Sequence, residues 1–370
     1  MECRTESGTK FRPQSFSGSW LAYRRSENSL DRPLVSVIIP CYREEKTIGQ
    51  LLRALRGQTY PVDRMEVVVA DGLSDDRTRE ELGVFSQSFP ELRLRVVDNP
   101  DRIIPAALNR AIRASKGVIL LRLDGHSEPE PDYVETCVRL LEEGKGDMVG
   151  GGLNIVPRDG SWAARSIAAA VSHPAGVGDA HFRFSNRAQE VDTIAFCAFR
   201  REWIDRIGYY DETLRTNEDY EFNSRFRHAG GRIWLDPSSR TRYFPPATFS
   251  ALVSQYWRYG FWKAKMARRR PRTLRWRQIL PPSGVLMAGA LLFGGFCCRE
   301  AWWVLGGCVL LYSVVLGLVG IDTSLRRQDR GVAIGVPVAI LLMHWIWGAA
   351  FLAGLFSTPE KVPDLARPQK

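Results

Sequence analysis

Three stretches of this 370-residue chain carry no charged side chain: Ser283–Cys298 for 16 residues, Ala301–Ile321 for 21 and Val332–Phe356 for 25. In hydrocarbon the backbone N–H and C=O groups find no water, so a lipid-facing apolar run must satisfy them internally as a helix. About 20 apolar residues span a bilayer. The second and third runs are long enough; the first is short. Two to three helices over 283–356 are therefore expected to form a membrane region, with Trp302, Trp303, Trp345 and Trp347 as interfacial anchors. The alternative is three core helices of a soluble domain, and soluble folds rarely carry three such charge-free runs in succession. The remainder is different in kind, because the mean hydropathy of the whole chain is only −0.20.

Charge is as unevenly placed as hydropathy. Fifty-one Lys and Arg stand against 41 Asp and Glu, a net charge of +10. Six arginines and no acid fall in 268–277: Arg268, Arg269, Arg270, Arg272, Arg275 and Arg277. Such a patch suits nucleic acid or the anionic face of a membrane. It immediately precedes the first apolar run, and positive flanks stay cytoplasmic. A membrane partner, and no nucleic acid, is the expectation. The seven cysteines are scattered without a C-x-x-C pair, which reads as reduced thiols in a cytosolic compartment, with neither a disulfide frame nor a zinc site. Residues 1–32 form a polar tail with an aromatic patch at Trp20–Tyr23, and no apolar h-region marks a cleavable secretory signal.

Between tail and membrane region the pattern alternates. Leu34–Pro40 is a short β-branched apolar run, and Ile48, Leu51, Leu52 and Leu55 then share a helical face. Met65–Ala70, Leu92–Val97 and Val118–Leu123 read as further buried strands, with helices over 74–83 and Ile104–Ser115 between them. Strands are expected at 147–156 and 191–199, and helices at 200–207 and 218–229. Alternation of this kind predicts an α/β fold, a mainly parallel sheet with helices on both faces. Ligands in such sheets sit outside the carboxyl ends of the strands, so polar residues there carry the chemical interest.

Four constellations qualify. Pro40-Cys41-Tyr42-Arg43-Glu44-Glu45 follows the first strand; its carboxylates suit a nucleobase or ribose, and equally a helix N-terminus. Asp71-Gly72-Leu73-Ser74-Asp75-Asp76 follows the second, as a base contact or an ordinary turn and cap. Leu121-Arg122-Leu123-Asp124-Gly125-His126 places a carboxylate and an imidazole two apart, able to face one divalent ion that neutralises a diphosphate. Oxygen ligands suit Mg or Mn, and the imidazole favours Mn; His126 as an unliganded loop histidine stays open. Asn217-Glu218-Asp219-Tyr220-Glu221 opens a helix with paired carboxylates that can supply a general base or a solvated acidic helix start.

In order and spacing the four together resemble family 2 inverting glycosyltransferases of the GT-A fold. VSVIIPCYREE, VVVADGLSDDRT, ALNRAIRASKG before LLRLDGH, and TNEDYEFNSR carry the resemblance, over roughly 33–265. The stretch from Ser172-His173-Pro174 through Gly176-Val177-Gly178 to FCAFRRE, with the hydrophobic tail, looks most like bacterial succinoglycan-type exopolysaccharide glycosyltransferases. The resemblance implies roles. Pro40, Glu44 and Asp71 would line the nucleoside site. Asp124 would hold a divalent cation (Mg or Mn) and the diphosphate, with His126 completing what is usually an Asp-x-Asp pair. Asp219 would be the catalytic base, with Glu218 beside it at the substrate. Gln255, Arg258 and Tyr259 resemble the Q-x-x-R-W segment of processive members, Arg258 on the diphosphate and the aromatic at the acceptor.

The implied activity is transfer of a sugar from a nucleoside diphosphate sugar, such as UDP-glucose, to a lipid-linked saccharide in exopolysaccharide synthesis. The enzyme would sit at the inner membrane with its catalytic domain in the cytoplasm, among other polysaccharide-assembly enzymes. The expected organisation is a tail at 1–32, a transferase domain at 33–265, a basic segment at 266–282, the membrane region at 283–356 and a polar tail at 357–370. A sugar-nucleotide pyrophosphorylase would need a Gly-rich phosphate loop where PCYREE stands. A specialised-metabolite or other lipid acceptor, and a non-enzymatic nucleotide-sugar sensor or scaffold, are the remaining alternatives. All of this requires Glu44, Asp71, Asp124 and Asp219 to converge on one cleft.

Overall fold

The computed structural model describes residues 32–357. The Trp20–Tyr23 patch and both polar tails lie outside the described residues, save for Arg32 and Ser357.

The chain alternates as its pattern requires: β1 (Val35–Cys41), α1 (Ile48–Arg56), β2 (Met65–Asp71), α2 (Thr78–Ser88), β3 (Arg93–Asp98), α3 (Ile104–Ala114) and β4 (Ile119–Arg122). Next come β5 (Glu128–Pro129), α4 (Tyr133–Glu142), β6 (Met148–Ile155), α5 (Trp162–Val171), α6 (Pro174–Val177), β7 (Gln189–Glu190), β8 (Ala198–Arg200), α7 (Glu202–Ile207) and α8 (Glu218–His228). The last elements are β9 (Ile233–Tyr243), α9 (Phe249–Arg269), α10 (Trp276–Gly294), α11 (Arg299–Arg327) and α12 (Val332–Phe356).

One sheet collects the strands in the order β3-β2-β1-β4-β8-β6-β9-β5, with β7 beside β9. β1, β2, β3 and β4 pair in parallel, and β6 pairs in parallel with β9; β8, β5 and β7 bring antiparallel pairings. The result is a mixed sheet built on a parallel half. Every residue of β1 and β2 is buried, which is why both read as continuous apolar runs. Cys41 and Asp71 end in register, so the loops after β1 and β2 leave the sheet side by side. The strand expected at 191–199 is the main departure. Only its end joins the sheet, as β8, while residues before it cross over as loop, where Thr193 and Ile194 bond to Asn223 of α8. Residues 162–171 and 233–243, which gave no clear signal, form α5 and the long β9.

A second core joins the catalytic half to the C-terminal helices. Ile167 of α5, Leu252 of α9 and Val336, Ala339, Ile340 and Met343 of α12 are buried together. Where α12 crosses lipid, such burial gains close packing and not the transfer of apolar surface from water. α12 packs along α9 and also against α5, α10 and α11. α11 and α12 are each long and apolar enough to cross a membrane, and among the described residues they are the two that are. α10, interrupted by Pro281 and Pro282, is not.

Small residues make the close approach possible. A Cβ on Gly260 of α9 would run into the Trp347 carbonyl of α12, and one on Gly348 of α12 into Pro281 of α10. Gly260→Val is therefore expected to cost about 1–3 kcal/mol through overpacking. Thermal unfolding of the protein in detergent reads this directly; an unchanged midpoint would mean that α9 and α12 are not in contact.

The basic segment is less free than its composition suggests. Arg275 and Arg277 pair with Asp192, Arg277 also with Asp179, and Arg270 with Glu221. Three of the six arginines are thus tied by acids of the catalytic half and only partly available to lipid headgroups. No C-terminal acid was needed, because the partners lie 49 to 98 residues earlier in sequence.

Candidate active site

A cavity of about 790 Å³ opens beside the end of β4 and the start of α8 and continues between α10, α11 and α12. Arg122, Asp124, Glu218, Asp219 and Tyr259 line it at the polar end. Leu280, Val285, Met287, Leu291, Leu305 and Val309 line its apolar reach.

The α8 end of the site starts from Asn217, whose left-handed backbone (φ 62°) turns the chain into the helix. Asparagine tolerates that conformation better than most residues, and its amide donates to the Tyr259 carbonyl at 3.1 Å. Glu218 and Asp219 then fall in the first turn. Asp219 Oδ1 accepts the Tyr220 N–H at 2.7 Å. Among the described residues Oδ2 accepts nothing, and it belongs to a half-buried side chain facing the cavity.

Glu218 is buried and takes a 2.8 Å bond from Arg122, a cation on an otherwise apolar strand. Burial raises the Glu218 pKa above its ordinary value; Arg122 opposes this and the Asp219 charge adds to it. Arg122 also reaches Asp124 at 3.4 Å, while its Nε and Nη1 are buried and donate to no described atom. One guanidinium thus ties β4 to α8 at the cavity wall.

The ends of β1 and β2 place the other expected site residues beside this cavity. Asp71 is fully buried and does not line the cavity. Ser74 Oγ and N donate to it at 2.5 and 3.0 Å, and Arg79 at 2.5 Å. It is the pin of an Asx-type turn. Pro40 is buried inside β1. Glu44 accepts from Thr47 at 2.5 Å and meets His126 Nδ1 at 2.9 Å, so it orients the imidazole and lies outside the cavity. Burial opposes protonation of His126, but the bond to Glu44 and the nearby acid charges hold its pKa above the usual histidine value. Arg258 is exposed and does not line the cavity, because Tyr256 and Tyr259 take the inward face of α9 and residue 258 falls on another. Gln255 bonds to Tyr259 Oη at 3.1 Å and supports it from behind. Of the four acids, Asp124 and Asp219 line this cavity, while Glu44 and Asp71 stand beside it at the ends of β1 and β2, Glu44 in contact with His126 of the Asp124 loop.

Asp124 Oδ2 and His126 Nε2 accept no hydrogen bond among the described residues. A carboxylate oxygen and an imidazole nitrogen are donor types that suit Mg or Mn; Asp124 lines the cavity and His126 stands beside it, held by Glu44. The described residues contain no closed cage of three or more acidic, His or Cys ligands.

Residues 36–208 match the family model described as Glycosyl transferase family 2. The chain carries a family 2 glycosyltransferase domain. It is 29% identical over 330 residues to the succinoglycan biosynthesis protein ExoA of Rhizobium meliloti (strain 1021), covering 88% of this chain and 96% of that one. It is 23% identical over 329 residues to a dolichyl N-acetyl-alpha-D-glucosaminyl phosphate 3-beta-D-2,3-diacetamido-2,3-dideoxy-beta-D-glucuronosyltransferase of Methanococcus voltae, covering 87% and 97%. A solved mannosyltransferase from Pyrobaculum calidifontis, in complex with GDP-Man and Mn2+, superposes with a TM-score of 0.56 at 20% identity, over 87% of this chain and 91% of that one. The glycosyltransferase thus has its expected GT-A fold. Sequence reasoning quoted Arg122 without assigning it and missed Arg183 and Arg277, which also line the cavity. An arginine inside a run as apolar as Ile119–Leu123 was the available signal.

Proposed function

We propose that this glycosyltransferase inverts the anomeric centre of a nucleoside diphosphate sugar, such as a UDP-hexose, in passing the sugar to a lipid-linked saccharide. The carrying observation is a single cavity lined by Asp124 and Asp219, each with an unpartnered carboxylate oxygen, that runs on between apolar helices. Asp219 Oδ2 takes the proton from an acceptor hydroxyl as that oxygen attacks the anomeric carbon from the face opposite the diphosphate. A single displacement turns an α-linked donor into a β-glycoside. Arg122, fixed by Glu218 and Asp124 at the cavity wall, sets a positive charge beside the departing diphosphate, where preorganised charge acts most strongly. A divalent cation held by Asp124 and His126 would neutralise charge on that diphosphate. Glu44 fixes the imidazole, in the way outer carboxylates orient ligating histidines.

The names of the relatives support a role in exopolysaccharide or other lipid-linked glycan assembly. The catalytic half would face the cytoplasm at the inner membrane, with 33–265 as transferase domain, 266–282 as junction and 283–356 in the membrane. The test is full-length protein in detergent micelles, given a panel of nucleotide sugars and a polyprenyl-diphosphate saccharide. One donor is expected to extend the lipid product by one sugar, detected by mass spectrometry. Asp124→Ala is expected to lower donor affinity at least tenfold in the presence of Mn or Mg, the scale of losing one charged contact. Donor hydrolysis without any extended lipid would overturn the acceptor; equal donor affinity in wild type and variant, with and without metal, would overturn the cation site.

A further inference from the structure

Three guanidinium groups line the cavity, and two are committed. Arg122 is paired with Glu218 and Asp124, and Arg277 with Asp179 and Asp192. The third, Arg183, follows buried Phe182 in a single 3-10 turn, His181–Arg183. Its neighbours are rings: the guanidinium carbon lies 5.3 Å from the Phe182 centroid and 5.7 Å from that of Tyr243. Among the described residues no carboxylate comes within ion-pair distance of it. The guanidinium is half-buried among these rings and faces the cavity, near enough to Asp219 to feel its charge but not paired with it. An anion entering through the cavity would meet an unpaired guanidinium there.

Position selects which anion. Arg183 shares the cavity wall with Asp219, Tyr256 and Tyr259, the side where an acceptor must lie for its hydroxyl to reach Asp219. From there the cavity passes to Leu280, Val285, Leu291 and Val309, on helices α10 and α11. A phosphate with a long hydrocarbon chain matches that sequence of charge followed by apolar wall. We propose that Arg183 receives the phosphate of a polyprenyl-phosphate-linked acceptor, and that the crevice between α10, α11 and α12 seats its prenyl chain. The assignment deepens the lipid-acceptor reading above and rests on it. Binding is measured without turnover, so a failure of sugar transfer and a failure of this site remain separable.

The probes are undecaprenyl phosphate, a single-isoprene phosphate and UDP, each titrated against the full chain in detergent micelles. Arg183→Gln is expected to bind undecaprenyl phosphate about ten- to a hundredfold more weakly, the range for losing a charged hydrogen bond, with UDP affinity retained. Arg183→Lys is expected to recover part of the loss. A loss confined to UDP would assign Arg183 to the donor phosphate, and equal loss for both probes would make it structural; either overturns the proposal, as does wild type that ignores undecaprenyl phosphate. Gly284→Trp tests the crevice independently, should the Arg183 variants not fold. Gly284 lines the cavity, and a Cβ there meets nothing within 4 Å, so the added ring enters open space. Wild type is expected to prefer the long chain over the single isoprene, and Gly284→Trp to lose that preference. A preference that survives the substitution sinks the chain-seating half.

Discussion

Replacing Asp219 with asparagine is expected to lower sugar transfer by about 10²–10⁴-fold, the contribution of a positioned general base, while nucleotide affinity stays near that of wild type. The reason is local. The amide oxygen of the new side chain would still accept the Tyr220 N–H that Asp219 Oδ1 accepts at 2.7 Å, so the helix start survives. What disappears is the basic oxygen facing the cavity. Because an inverting displacement needs that oxygen only when the acceptor hydroxyl loses its proton, the loss belongs to turnover and not to donor binding. Initial rates at saturating donor and acceptor, beside a nucleotide titration, give the result. An Asp219→Asn variant that turns over at the wild-type rate would assign the proton to another group and remove Asp219 from the chemistry.

Arg122→Met is expected to be the most damaging single change to stability at the site, by about 3–5 kcal/mol, the cost of stripping one partner from a buried ion pair. Methionine approximates the length of the side chain, so the loss is mainly of charge. Glu218 would keep its burial and the field of Asp219 and lose the one cation bonded to it at 2.8 Å. Its carboxyl would then be forced toward the neutral form. Adding Glu218→Gln removes the stranded charge, so the double variant is expected to regain part of the thermal midpoint lost by Arg122→Met. Activity should not return with it, because the cation proposed to stand beside the departing diphosphate is still gone. A double variant no more stable than Arg122→Met alone would show that the pair is not what holds β4 to α8.

The parallel half of the sheet was legible because its signals are local. Strands such as VSVII and MEVVV are buried on both faces and need no distant partner to be recognised, and Ile48, Leu51, Leu52 and Leu55 declare a helical face within two turns. β8 and β9 were not legible in the same way. Residues 191–197 have the composition of a strand, yet they pack as loop against α8, and only the finished sheet decides how much of the segment pairs. The site divides along the same line. Asp124 and Asp219 were found by their places at a strand end and a helix start, and the fold brings both to one cavity. Asp71 and Arg258 were assigned by motif, but their fates depend on neighbours that spacing does not reveal: Ser74 and Arg79 hold one carboxylate, and the turn of α9 carries the guanidinium outward.

Short segments were enough to reveal an α/β transferase sheet joined to apolar helices, because periodicity, charge-free length and strand-end acids are all local properties. Tertiary structure alone decided which charges are spent and which remain available. Arg277 and Arg183 look alike in sequence, but one closes on Asp179 and Asp192 while the other faces open space among rings. Whether a cation meets an anion depends on which remote segments the fold lays against it, and that is fixed only when the catalytic half and the C-terminal helices pack together.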